Sequence, residues 1–111
     1  MMKDLLPQIE LWRAQGDRVA IATVVKVEGS APRPVGASMI VSSGGDLAGS
    51  VSGGCVETAV FEEAQEVLRS GKPKLIHYGI TDEMAWDVGL ACGGAIDVFV
   101  EPVDDVADEA K

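Results

Sequence analysis

Two cysteines, each beside a pair of glycines, are the residues of this chain best suited to chemistry. In Ser52-Gly53-Gly54-Cys55 an apolar strand-like run passes through glycines into a helical pattern. Free backbone N–H groups at a helix start attract anions, and glycine lets a ligand approach the main chain. On this reading Cys55 sits in the first helical turn, where the partial positive charge lowers its pKa and makes its thiolate a nucleophile or soft metal ligand. Cys92-Gly93-Gly94 repeats the pairing just ahead of a second strand-like run. If sheet order brings the two segments together, both thiols face one pocket. Taken alone, each pattern also fits an ordinary cap or turn with a small buried thiol. The recurrence in a chain with only two cysteines is what favours chemistry.

Arg33 lies between Pro32 and Pro34, so its guanidinium is carried on stiff backbone suited to bidentate capture of phosphate or carboxylate. A solvent-facing arginine in a proline turn is the plainer alternative. His77 falls inside a strand-like run and reads as structural rather than as a base. Thr81, Asp82, Glu83 and Asp87 read as a helix start and a solvated face. Structural zinc is disfavoured, because there is no CxxC spacing and His77 alone offers a third strong ligand.

The elements that must position these residues follow from periodicity. Leu5, Ile9 and Trp12 recur at helical spacing over 5–15, with Asp4 as cap and Gly16 as stop. Residues 18–27, β-branched and apolar on both faces, predict a strand inside a sheet. The SMIVSS and LAGSV runs flank Gly44-Gly45-Asp46 as a hairpin. From Cys55 to Arg69, Val56, Ala59, Val60, Ala64, Val67 and Leu68 form one helical stripe that ends at Gly71. Strands are predicted over 74–80 and 95–101. The order α-β-β-β-α-β-β predicts a single α+β domain with a mixed or antiparallel sheet.

At 111 residues the chain is one domain's length, and 47% apolar content with a formal net charge of −9 describes a globular, acidic molecule. Such a charge is repelled by nucleic acid and by anionic membranes, so neither is an expected partner. Five acids crowd the last eleven residues, which gives a domain over 1–102 and an acidic tail over 103–111. The N-terminal sequence has no signal-peptide pattern and no apolar run is long enough to span a bilayer. The expected setting is the cytoplasm, with both thiols reduced.

In order along the chain, GSAPRPVGASM, GSVSGGCVETAV and GLACGGAIDVFVEP resemble the signature blocks of the XdhC/CoxI family, accessory factors for molybdenum hydroxylases such as xanthine dehydrogenase and carbon monoxide dehydrogenase. The resemblance covers roughly residues 5–102, and three ordered blocks are far more specific than one glycine-rich loop. It implies a carrier rather than an enzyme. The cargo would be the molybdenum cofactor, a molybdopterin, held while a sulfido ligand is installed and then inserted into the hydroxylase. The implied partners are the large subunit of that hydroxylase, a separate Rossmann-domain family member and a cysteine desulfurase, with homo-oligomerisation left open.

The residues fit such a cargo. Arg33 with Gly53 and Gly54 would hold its phosphate, Gly93 and Gly94 would line the second segment, and Cys55 and Cys92 would offer sulfur to molybdenum or carry a persulfide. The sequence departs from the family pattern at Ala31, Ser38 and Ser52, where a threonine, a lysine and a glycine are expected. Many members continue into a Rossmann-like domain, whereas this chain stops at Lys111, so it reads as a short member or half of a split pair. The rival from another class is a thiol enzyme with Cys55 as nucleophile and His77 as base, acting on a small anionic substrate. A structural tether for a Rossmann partner is the third reading.

Overall fold

The computed structural model describes residues 2–28, 34–51, 56–78 and 95–103. Two helices, α1 (Met2–Ala14) and α2 (Glu57–Ser70), accompany five strands: β1 (Val19–Glu28), β2 (Ser38–Ser42), β3 (Leu47–Gly49), β4 (Lys74–Tyr78) and β5 (Ala95–Pro102). The strands form one sheet in the order β3-β2-β1-β5-β4, every neighbouring pair antiparallel. The element order and the α+β class agree with the sequence reading, and the sheet is the antiparallel alternative.

β1 is central because both of its faces are apolar, and each face is covered by a different helix. Ala20, Ala22 and Val24 join Met39, Val41, Ile96, Val98 and Val100 beneath Val60, Ala64, Val67 and Leu68 of α2. Val19 and Ile40 turn the other way, to Ile9 and Trp12 of α1. The alternation of β1 breaks at a bulge between Val24 and Lys26. An extra residue there leaves Val25 47% exposed and returns Val27 to the α2 side, where it packs on the core.

α1 begins before the expected cap, so that Asp4 lies within the helix. Its end is as expected. Gly16 adopts a φ of 94°, its N–H reaches Arg13 O at 3.0 Å and Asp17 N–H reaches Trp12 O at 3.0 Å, the paired bonds of a Schellman ending. α2 closes similarly on Gly71, with φ 74° and its N–H on Val67 O. Gly45, with φ 101°, turns the β2–β3 hairpin.

The sheet's two ends therefore differ. At one end the α1–β1, β2–β3 and α2–β4 connections are short and each turns on a positive-φ glycine. At the other, β1 pairs Glu28 with Ala95 of β5, β4 pairs Tyr78 with Ile96, and β2 meets Gly49 of β3 at Met39. Segments 29–33, 52–55 and 79–94 all depart from this second end.

Candidate functional site

Antiparallel register brings to one end of the sheet the anchor points of the segments that carry the candidate residues. Arg33, Gly53, Gly54, Cys55, Cys92, Gly93 and Gly94 lie outside the described residues, as do Thr81, Asp82, Glu83 and Asp87. Their anchor points are described. Glu28 and Pro34 bracket the Arg33 segment, Val51 and Val56 bracket the Cys55 segment, and Tyr78 and Ala95 bracket the Cys92 segment. All six belong to the same end of the molecule.

The entry into the Cys55 segment is held tightly. Gly49 has φ 83°, and a Cβ there would meet Ser38 O at 2.5 Å and Met39 Cα at 3.2 Å. Only glycine permits that approach of β3 to β2. The next residue, Ser50, donates its N–H to the same Ser38 carbonyl at 3.0 Å. Its Oγ–H donates to Glu57 Oε2 at 2.6 Å, and the same oxygen accepts the Val51 N–H at 3.0 Å. Val51 and Val56 are buried. The segment thus leaves and re-enters the core at fixed points, clamped across its base by a carboxylate in the first turn of α2.

One expectation is corrected here. α2 starts at Glu57 with Val56 as N-cap, so Cys55 precedes the helix instead of occupying its first turn, and the Ser52–Gly54 run is not the cap. The start is set by Val56, which packs into the core, and by Glu57, whose carboxylate turns back to Ser50 and Val51.

The Arg33 segment returns to the sheet through a similar device. Gly36, with φ 97°, donates its N–H to Val24 O at 2.8 Å, and Val24 N–H reaches Ala37 O at 2.9 Å. Ser38 is buried and donates its hydroxyl to Gly36 O at 3.2 Å.

On β4, Ile76 and Tyr78 pack toward α2, and Lys74 pairs with Glu63 at 2.9 Å and Glu66 at 3.3 Å. The hydrogen bond to Glu63 raises Lys74 above the ordinary lysine pKa, burial opposing and Glu66 adding to it. Strand alternation puts His77 on the opposite face, where its Nδ1 lies 2.5 Å from Asp97 Oδ1. Among the described residues no group of three metal-ligating side chains converges. A depression lined by Phe61, Glu62, Glu63, Gln65, Glu66 and Arg69 lies along α2, and three carboxylates against one guanidinium suit an anion poorly.

Sequence reasoning passed over Gly49, Glu57 and Tyr78. A glycine at the end of a strand pattern was the signal for the first. The clamp by Glu57 and the burial of the Tyr78 hydroxyl depend on packing that spacing alone does not reveal.

These features define a small α+β domain that suspends three glycine-containing segments, two of them bearing a cysteine, from one end of an antiparallel sheet. The chain belongs to the XdhC and CoxI family, whose profile matches residues 12–79. It is 44% identical over 82 residues to the molybdenum cofactor insertion chaperone PaoD of Escherichia coli, covering 73% of this chain and 25% of that protein. It is 38% identical over 89 residues to a probable xanthine dehydrogenase subunit of Bacillus subtilis, covering 78% and 27%. The crystal structure of a xanthine dehydrogenase from Bacillus halodurans superposes with a TM-score of 0.71 at 34% identity, over 87% of this chain and 30% of that one. The chain spans about a quarter of the length of these curated relatives.

Proposed function

We propose that this domain takes part in the maturation of a molybdenum hydroxylase of the xanthine dehydrogenase or carbon monoxide dehydrogenase type, binding the molybdenum cofactor as cargo during sulfuration and insertion. The observation that carries this reading is the common departure of the three segments from one end of the sheet, in a chain whose relative is a cofactor insertion chaperone. Arg33, Gly53 and Gly54 would take the anionic end of the cargo, and Cys55 and Cys92, with Gly93 and Gly94, its metal end. The role is that of a carrier and not of an enzyme. Its setting is the cytoplasm, where both thiols stay reduced; no described helix is long and apolar enough to cross a membrane.

The thiol-enzyme alternative needs His77 beside Cys55. His77 instead occupies the face of β4 opposite α2 and engages Asp97, which weighs against it as a base for a thiol at the start of α2.

The test is anaerobic mixing of the purified protein with released molybdenum cofactor, followed by size-exclusion chromatography. Stoichiometric pterin fluorescence in the protein peak is expected. A protein peak without pterin would sink the carrier reading.

A further inference from the structure

Among the described residues, one buried side-chain polar atom has no hydrogen-bond partner, the hydroxyl of Tyr78. The residue is 3% exposed. A buried hydroxyl without a protein partner is costly, and such groups in native folds call for an explanation. Packing alone does not supply one, because phenylalanine would fill the same space without the penalty.

The position of Tyr78 suggests what the hydroxyl is kept for. It is the last described residue of β4, directly before the segment that carries Cys92. Strand alternation turns it to the α2 side, into the cluster that contains Val56, from which the Cys55 segment departs. Its register partner, Ile96, is next to Ala95, where the Cys92 segment returns. Tyr78 therefore shares a core cluster and a face of the sheet with Val56, and it directly precedes the Cys92 segment in the sequence.

Resting on the carrier reading, we propose that Tyr78 is a cargo-binding residue, its hydroxyl donating a hydrogen bond to an oxygen acceptor of the bound molybdenum cofactor. The donor is then satisfied only in the loaded state. Burial, with the charge of Glu63 acting in the same direction, raises the phenol's pKa above its ordinary value, so the hydroxyl keeps its proton at any physiological pH. Such a group acts as a donor without adding charge to an acidic protein.

Tyr78→Phe tests this. Cofactor retention under anaerobic conditions is expected to weaken about tenfold, the range of a single buried hydrogen bond, while the thermal midpoint of the cofactor-free protein stays level or rises. Tyr78 is the only tyrosine, so the tyrosine doublet in ultraviolet resonance Raman spectra reports this one hydroxyl. It is expected to change to the donor signature on loading. Equal retention by wild type and variant, a fall in the stability of the cofactor-free variant, or a donor signature before loading would each overturn the assignment. Failure of the wild type itself to retain cofactor would overturn the carrier reading and this inference together, an outcome distinct from the other three.

Discussion

Arg33, Cys55 and Cys92 define the chemistry proposed here, and they make separable predictions. Loss of a charge-assisted phosphate contact in Arg33→Ala is expected to cost about 1.5 to 3 kcal/mol of cofactor affinity. Lysine at this position restores the charge but not the planar fork, so partial rescue is expected. Titration of cofactor into each variant measures both effects, and equal binding by wild type and Arg33→Ala would remove the residue from the site. Cys55→Ala is expected to impair retention more than Cys92→Ala, because Cys55 stands two positions before the α2 start at Glu57 in the sequence, and a thiol near a helix N-terminus is expected to have a lowered pKa. Thiol titration checks the basis of that ranking: Cys55 must show the lower pKa of the two. Tyr78 makes a third prediction, about stability. Its folded pKa is raised from an ordinary value of about 10, so above that pH the unfolded chain loses a proton that the folded one keeps. Stability is intact below about pH 10 and declines above it by up to about 1.4 kcal/mol per pH unit from this group. In Tyr78→Phe that contribution is absent, and in wild type the phenolate absorbance band should appear together with unfolding rather than before it.

At the level of elements, the most exacting position is the junction of β3 with the Cys55 segment. Gly49→Ala would place a Cβ 2.5 Å from Ser38 O on a backbone with positive φ. A destabilisation of about 2 to 4 kcal/mol is expected, combining left-handed strain with steric displacement. Urea denaturation measures it, and a loss below about 1 kcal/mol would show that β3 can move away from β2 more freely than its hydrogen bonds suggest. The main elements were legible in the sequence because their signals are local: β-branched residues on both faces of β1, the apolar stripe of α2, and Gly16 and Gly71 as helix stops. The bulge in β1 was not legible. Val25 and Val27 read as one face, and only pairing with β5 separates them. The true start of α2 was hidden for a similar reason, since a glycine-rich run resembles a cap, whereas Val56 and Glu57 set the boundary through contacts made after folding. Of the candidate site, sequence supplied the residue types, and the register supplied the shared end of the sheet at which their segments are anchored. The clamp of Glu57 on Ser50 and Val51 is a tertiary fact with no sequence signature of its own.

For the molecule as a whole, charge is the property that would govern how it meets the proposed client. A net charge of −9 steers docking toward basic surfaces and makes association sensitive to ionic strength. Binding to the large subunit of a molybdenum hydroxylase is expected to weaken from low to high salt and to tighten when cofactor is loaded. Pull-down under both conditions tests this, and failure to retain a hydroxylase in any of them would count against delivery. The contrast between the two ends of the sheet has a further consequence. Three glycine turns close one end, and the described residues of both helices pack on the sheet between the two ends. On the carrier reading, the packed frame and the end that would hold cargo can accept substitutions independently. Substitutions in 29–33, 52–55 and 79–94 can retune which cargo or client is served while the packed interior stays as it is, provided that Gly49, Glu57 and the valines at the anchor points are kept. Such a frame allows a change of specificity without a change of fold.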